Sequence, residues 1–599
     1  MNRSSSPTTL LACLLATVVT TAASPAFAVS YTWLAKSGTG DWTTSLNWSG
    51  TSATDLYPGS TTANDLASAS GDLTGDLTLN LDTSVSIQNL FIGDTTGTTT
   101  SGTFYTTTIS TTNNSTLTFA AASASSNVAQ LNNAGGVRNG TANLVTPNII
   151  VNSGTFEVRK NLSQGGGADR QNNVIISGNV SSGSAGTHQL RFTPTSSSTG
   201  SSLLEYSGNI SNGVGTISMV FRVDSGTTPN TLRLSGTGNT FTGGITFNGG
   251  RPGLATLEAS PASGTIGALS TGGLTLGTSG STATLNLGGS PSTVTEVCNI
   301  SAAGTGARRI AVIGVGNRVL SGTVTTTTTG TLTLACSNTG NLTFSNAFNG
   351  TGPVTVSSTG SGKVIFSGAG STYSGATTVR AGVLELAAGA PLGTSTITPV
   401  VGGTLSLQPY AQTTVGGLAP NAGGLTDVGS GYMTVSSGLT AVDMVTALVT
   451  GLGDGSWNGT SGITSSTAAT SGGDRTVGWL DNGDGTVTFA FAAAGDTNLD
   501  WQVDILDASN FLAGGKFDSG TPATWNEGDF TYDGFVDILD AASFLSAGLF
   551  DAGFYNPPPG AAGAVAAVPE PTALWAIGLA VGAILVRRRR ISGGGRESV

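Results

Sequence analysis

Leu234-Ser-Gly-Thr-Gly-Asn-Thr-Phe-Thr-Gly-Gly-Ile-Thr-Phe247 and Phe366-Ser-Gly-Ala-Gly-Ser-Thr-Tyr-Ser-Gly-Ala-Thr-Thr-Val379 share one frame, apolar-Ser-Gly-x-Gly-x-Thr-aromatic-x-Gly. Each copy leads through further Gly to another short apolar run, 254–257 and 383–386. Runs of the same kind recur along the chain: Leu117-Thr-Phe119, Thr155-Phe-Glu-Val158, Leu232-Arg-Leu234, Leu285-Asn-Leu287, Leu332-Thr-Leu334, Val364-Ile-Phe366 and Leu405-Ser-Leu407. Alternation at period two buries one face of a strand, and the Gly, Ser, Thr and Asn clusters between the runs mark turns.

The chain has 599 residues, 38% of them hydrophobic and only 9% charged, with 90 Gly. That length exceeds one compact domain. A disordered chain pairs high charge with low hydrophobicity, the reverse of this composition, so the body is read as folded. Many short strands with turn clusters and almost no helical periodicity predict a stacked β-solenoid or an elongated β-sandwich array. The duplicated frame resembles the autotransporter-associated β-strand repeat. That resemblance implies a right-handed parallel β-helix in a secreted passenger, acting as a rigid stalk or surface.

Three of the eight Trp, namely Trp33, Trp42 and Trp48, fall near the start of this body. They read first as an aromatic cap over the exposed edge of a stack, and second as a platform for sugars. Elsewhere the passenger is poor in the clustered carboxylates that lyase or hydrolase chemistry requires. Glu157 and Arg159 share a strand face beside Lys160 and read as a solvated charge pair, and His188 is the only histidine. No enzymatic activity is expected, with a polysaccharide-active β-helix enzyme as the alternative.

Chemistry concentrates further along, in Asp496-Thr-Asn-Leu-Asp-Trp-Gln-Val-Asp-Ile-Leu-Asp507 and Asp529-Phe-Thr-Tyr-Asp-Gly-Phe-Val-Asp-Ile-Leu-Asp540. Each is followed by Ala-x-x-Phe-Leu, at 508–512 and 541–545. Calcium takes six to eight oxygen ligands, which a twelve-residue EF-hand loop offers from positions 1, 3, 5, 7, 9 and 12, position 7 through its carbonyl. The first loop places Asp496, Asn498, Asp500, Gln502, Asp504 and Asp507 there; the second places Asp529, Thr531, Asp533, Phe535, Asp537 and Asp540. Val503 and Val536 take position 8, where they are expected to pack the loops together.

The duplicated loop plus helix resembles a type I dockerin module, in which Asp closes the loop at position 12. The resemblance implies calcium-dependent folding and docking onto a cohesin-like protein. Trp501 departs from the family's Gly at position 6, and Thr531 from a stronger ligand at position 3; both departures predict weaker loops.

Charge supports the cation reading. The chain carries 33 acidic and 22 basic residues for a net charge of −11, and residues 496–551 hold eleven of the acidic ones against a single lysine, Lys516. That concentration argues for a divalent cation and against nucleic acid.

The ends read as export signals. Residues 1–28 combine Arg3, an apolar run and Ala26-Phe-Ala28, which is a secretory signal peptide with Ala26 and Ala28 at the cleavage site. Between the passenger and the loops, 437–494 reads as a connector with one amphipathic helix at 438–449 and a hairpin across Asp481-Asn-Gly-Asp-Gly485, which is expected to pack on the first loop. After a Pro-rich linker at 552–567 comes Pro569-Glu570-Pro571, an apolar run at 573–586 and Arg587, Arg588, Arg589 and Arg590. The arginines would hold the terminus on the cytoplasmic side of a membrane. This tail, 568–591, resembles a PEP-CTERM sorting signal, which implies transient membrane insertion and processing by an exosortase-type enzyme. Setting aside Cys13 in the signal, Cys298 and Cys336 form one bridge or stay thiols.

The expected fold class is mainly β: an elongated parallel β-helix or β-solenoid passenger at 29–436, a small α-helical dockerin-like module at 495–551 with Ca2+ as cofactor, and a C-terminal transmembrane sorting helix. The expected function is a structural or adhesive protein of the bacterial surface or extracellular matrix. The alternative is a docked component of an extracellular complex that binds or degrades polysaccharide.

Overall fold

The computed structural model describes residues 28–557, apart from 52–53, 62–63, 96–103, 122–126, 136, 139–140, 161–169, 195–201, 223–228, 249–254, 262–266 and 279. The described residues form two compact units, divided between Val364 and Ile365. The signal peptide up to residue 27 and the tail from residue 558, with Ala26, Pro569, Glu570, Pro571 and Arg587 to Arg590, lie outside the described residues.

In the first unit the short alternating runs become rungs of a parallel stack. One sheet contains thirteen strands, running from Trp48–Ser49 and Ser30–Trp33 at one end to Phe348–Gly350 at the other. Along it Leu190 faces Met219, Met219 faces Ile245, Ile245 faces Leu274, and Leu274 faces Ile300. A second ladder aligns Glu205, Arg233, Glu258, Asn286, Ala311 and Ala335 across successive strands. A third, five-stranded sheet joins Val85–Ile87, Thr116–Phe119, Asn148–Val151, Val180–Ser182 and Ile210–Gly213. Parallel pairing is what a coil of similar rungs produces, because every turn of the chain runs in the same direction past the last.

Alternation decides what is buried. Leu190, Phe192, Met219, Phe221, Ile245 and Phe247 point inward. Phe192, Phe221 and Phe247 stack rung on rung, with ring centroids 5.1 and 4.9 Å apart. Outward residues pair along the ladder: Arg233 bridges Glu205 at 3.3 Å and Glu258 at 3.1 Å. The repeat frame serves a corner between strands. After the strand Asn230–Leu234, Phe241 is fully buried and Gly244 takes φ +74° before the strand Ile245–Phe247. Gly236 is required by close approach, since a Cβ there would sit 2.5 Å from the Gly208 carbonyl oxygen.

The N-terminal tryptophans form the cap. Trp33, Trp42 and Trp48 are each at most 2% exposed. Trp33 packs edge-on against Trp48 at 4.9 Å where Ser30–Trp33 and Trp48–Ser49 pair antiparallel. Cys298 and Cys336 are both buried free thiols, and burial pushes them up to about 12 and about 11.

The second unit opens on the other repeat copy, in which Tyr373 is fully buried and its hydroxyl donates to the Ala376 carbonyl at 3.0 Å. Parallel strands Thr377–Leu386, Thr396–Pro399, Gly403–Leu407 and Leu425–Asp427 follow. The connector helix, α1, runs Ala441–Leu452 rather than 438–449. Thr440 caps it by accepting the Asp443 amide, and Met444, Ala447, Leu448 and Gly451 form its buried face. Val442 and Val449 are exposed, because the strand Gly462–Thr464 covers the other side of the helix. The hairpin is present, pairing Thr476–Asp481 with Val487–Ala492. It is completed into a four-stranded sheet by Tyr432–Val435 and Gln412–Val415. Three further helices follow: α2 (Ser466–Ala469), α3 (Ile505–Ala513) and α4 (Ile538–Ala547).

Candidate metal centre

The two acidic loops share one main-chain hydrogen-bond pattern. In the first, Asp496 accepts the amides of Asp500 at 3.2 Å and Trp501 at 3.0 Å. In the second, Asp529 accepts those of Asp533 at 3.2 Å and Gly534 at 3.0 Å. Asp504 and Asp537 cap α3 and α4 by accepting the Leu506 and Leu539 amides, each at 2.7 Å. Positions 4 and 6 take left-handed backbone in both copies, at Leu499 and Trp501 (φ 60° and 66°) and at Tyr532 and Gly534 (φ 61° and 87°). Trp501 thus adopts the turn expected of Gly, a conformation costing a non-Gly residue about 1–2 kcal/mol. Its indole N–H donates to the Phe491 carbonyl at 3.0 Å, which offsets part of that cost.

The closing aspartates turn inward. Asp507 accepts from the Thr497 amide and hydroxyl and from the Asp504 amide, at 2.8, 2.9 and 2.9 Å. Asp540 accepts from the amides of Phe530, Thr531 and Asp537, at 2.8, 3.0 and 2.9 Å. Both are fully buried capping-box residues at the third position of their helices. Asn498 accepts the Asp500 amide at 2.9 Å, while Asp500 and Asp533 accept those of Gln502 and Phe535 at 2.9 and 3.0 Å. The carboxylates therefore face main-chain amides, and among the described residues no three His, Cys, Asp or Glu side chains converge as a metal-holding group.

The residues nonetheless fit a cation. Thr531 Oγ1, at the third position of the second loop, is buried without a hydrogen-bond partner, a costly state for a hydroxyl that a ligand would relieve. Burial, reinforced by the charges of Asp507 and Asp500, pushes Asp496 up to about 7. Burial with Asp540 and Asp533 pushes Asp529 up to about 6. Burial and crowding thus disfavour the ionised form of each loop's first carboxyl, a cost that a bound cation would relieve, and hard oxygen donors of this kind suit calcium.

Val503 and Val536 are buried but do not pair with each other. Val503 bridges Phe550, beyond α4, and Val536 bridges Phe517, beyond α3. Each loop therefore clasps the segment that follows the other loop's helix, because the 33-residue repeat places the copies head to tail. Both loops rest on the hairpin, the first through Trp501 and the second through Tyr532, whose hydroxyl donates to the Val477 carbonyl at 2.7 Å. On the other side α3 and α4 expose Ile505, Leu506, Leu512, Ile538, Leu539 and Leu545. Between them lies an apolar groove of about 260 Å³ lined by Ala508, Phe511, Leu512, Ala541, Phe544 and Leu545.

Sequence reasoning missed Trp525 and Tyr555. The Trp525 indole donates to the Asp496 carbonyl and the Tyr555 hydroxyl to the Asp496 carboxylate. Neither lies in the repeated loop, and an isolated aromatic in a linker carries no periodic signal. In the passenger, Glu157 is satisfied by Gln130 at 3.1 Å, Thr193 at 2.8 Å and Arg159 at 3.3 Å. Both ring nitrogens of His188 face carbonyl oxygens, of Ser153 and Ser184. Among the described residues no helix is long and apolar enough to cross a membrane.

Two family models match segments of the chain. The passenger-associated transport repeat matches residues 229–251 and 359–386, which contain both copies of the Ser-Gly-x-Gly frame. The PEP-CTERM protein-sorting motif matches residues 567–590. No curated protein and no solved structure matches the chain. The two segments mark an exported cell-surface protein that carries autotransporter-type passenger repeats and a sorting tail that implies processing by an exosortase.

Proposed function

We propose that this chain is a structural or adhesive element of the cell surface or extracellular matrix, and not an enzyme, whose C-terminal module is held by calcium in two tandem loops. The buried, unpartnered Thr531 Oγ1 beside the crowded Asp529 carries the calcium reading. Asp496, Asn498, Asp500, Asp504 and the Gln502 carbonyl would hold one ion, and Asp529, Thr531, Asp533, Asp537 and the Phe535 carbonyl the other, with Asp507 and Asp540 closing the loops. Bound calcium would supply the positive charge that each cluster lacks. The non-enzymatic reading rests on the passenger, where the charge clusters, Glu157 with Arg159 and Arg233 with Glu205 and Glu258, are spent on one another and on neighbouring side chains. Incubating the mature chain with surface and matrix polysaccharides tests it: release of reducing ends would overturn it.

A second reading has a specific observation behind it. The exposed leucines and isoleucines of α3 and α4 form a repeated apolar face that suits docking onto a cohesin-like partner. Calcium-dependent binding of the mature chain to a purified cohesin domain, abolished by Leu512→Asp with Leu545→Asp, would favour this reading. Binding that is equal in the variant would remove it.

A further inference from the structure

We propose that Tyr555 is a positioning residue of the first loop, and that cation loading there clamps residues 551–557, the exit toward the sorting tail, onto the module. This rests on the calcium reading above. The Tyr555 hydroxyl donates to Asp496 Oδ2 and accepts the Ala493 amide at 3.1 Å. The Tyr555 amide donates to the Trp501 carbonyl at 3.0 Å, and the Asp551 amide to the Val503 carbonyl at 2.8 Å. The exit segment thus touches the loop at its first, sixth and eighth positions. It is fastened beyond the loop as well: Asn556 is buried and donates to the Ser430 carbonyl at 3.0 Å. The Tyr555 ring lies 6.4 Å from that of Phe491, with the Arg475 guanidinium 5.2 Å above it.

The two loops differ at this first position. Asp529, which occupies the matching position of the second loop, receives the Asp533 and Gly534 amides and no hydroxyl. In the first loop Oδ2 is taken by the Trp501 amide and the Tyr555 hydroxyl, whereas Oδ1 holds only the longer 3.2 Å contact from Asp500. Oδ1 is therefore the oxygen left to turn to a cation, with Tyr555 fixing the carboxylate from behind. A cation on Oδ1 would fix the Asp496 carboxylate in the orientation in which Oδ2 accepts the Tyr555 hydroxyl, so one carboxylate joins the ion to the exit segment. Linkage makes the coupling reciprocal: if calcium strengthens the Tyr555 bond, that bond strengthens calcium binding. The segment so clamped leads through residues 558–566 to the matched sorting motif, so calcium would set where the folded body ends before the processing site.

Hydrogen exchange of the mature chain, with calcium and with chelator, tests the clamp. In the wild type calcium is expected to slow exchange at 551–556 together with both loops. Tyr555→Phe keeps the ring contacts and removes only the hydroxyl. In that variant the second loop responds to calcium as before, while 551–556 exchange alike in both conditions. In an Asp529→Ala background, which leaves the first loop to be titrated alone, Tyr555→Phe weakens calcium binding by about tenfold or more, the scale of one hydrogen bond to a charged group. If both loops respond while 551–556 do not, or if Tyr555→Phe matches the wild type, the clamp is wrong and the calcium reading stands. If no segment responds and no heat of binding is released, both are wrong.

Discussion

The indole N–H of Trp525 donates to the main-chain carbonyl of Asp496 at 2.7 Å, fastening the segment between the two loops to the first residue of the first. Trp525 is fully buried, stacked on Tyr532 at 5.8 Å and edge-on to Phe530 at 5.0 Å. One side chain thus ties both loops into a single core.

Replacing it separates packing from hydrogen bonding. Trp525→Phe leaves a buried carbonyl without its donor, at a cost of about 1–3 kcal/mol. Trp525→Ala also opens a cavity, and the total rises to about 3–5 kcal/mol. Urea denaturation followed by near-ultraviolet circular dichroism reads both; equal midpoints for wild type and Trp525→Ala would show that the residue is not the hub.

The raised carboxyls fix the sign of a pH effect. Asp496 and Asp529, with an ordinary value of 3.8, are pushed up to about 7 and about 6. The folded module therefore binds protons more tightly than the unfolded chain. In chelator the contribution of these two carboxyls to stability is highest below 3.8, falls as pH rises, and levels off above about 7. Asp496→Asn with Asp529→Asn removes this component, and calcium opposes it by neutralising the same charges. Denaturation midpoints measured in chelator from pH 4 upward check the sign; a wild type that gains stability relative to the double variant over that range contradicts it.

In the passenger, Phe221 lies between Phe192 and Phe247 in the stacked core. Phe221→Ala removes two ring contacts and leaves a cavity, costing about 3–5 kcal/mol. Because rungs contact mainly their neighbours, the damage is expected to centre on the strands Thr187–Pro194, Thr216–Phe221 and Ile245–Phe247. Hydrogen exchange resolved by peptide locates it, and loosening spread evenly over the first unit would argue against a stack of nearest-neighbour rungs.

The two thiols are expected to be inert in the folded protein. Burial pushes Cys298 up to about 12 and Cys336 up to about 11, so little reactive thiolate exists at neutral pH. Alkylation read by intact mass should leave both unmodified until denaturant is added. Labelling of either one under native conditions would show that the stack opens around it.

The strands were legible because alternation is local: Leu232, Leu234, Leu285 and Leu287 face inward, as their spacing requires. The loops were legible from their duplication, down to the left-handed turn forced on Trp501. Register was not, since it depends on which rung lies above which, and neither was the exchange that sends Val503 to Phe550 and Val536 to Phe517. The shift of α1 to Ala441–Leu452 has a similar origin. Gly451 sits on its buried face, where a Cβ would lie 1.8 Å from the Ile463 carbonyl oxygen. Such close approach is a tertiary fact that apolar spacing does not encode. Tyr555 and Trp525 act through contacts to residues 59 and 29 positions away, which no motif announces.

Calcium in the tandem loops is the central claim, and calorimetric titration of the chelator-stripped mature chain tests it most directly. The account predicts two ions bound per chain, with one lost in Asp496→Ala and the other in Asp529→Ala. No heat of binding, with circular dichroism unchanged between calcium and chelator, would contradict it.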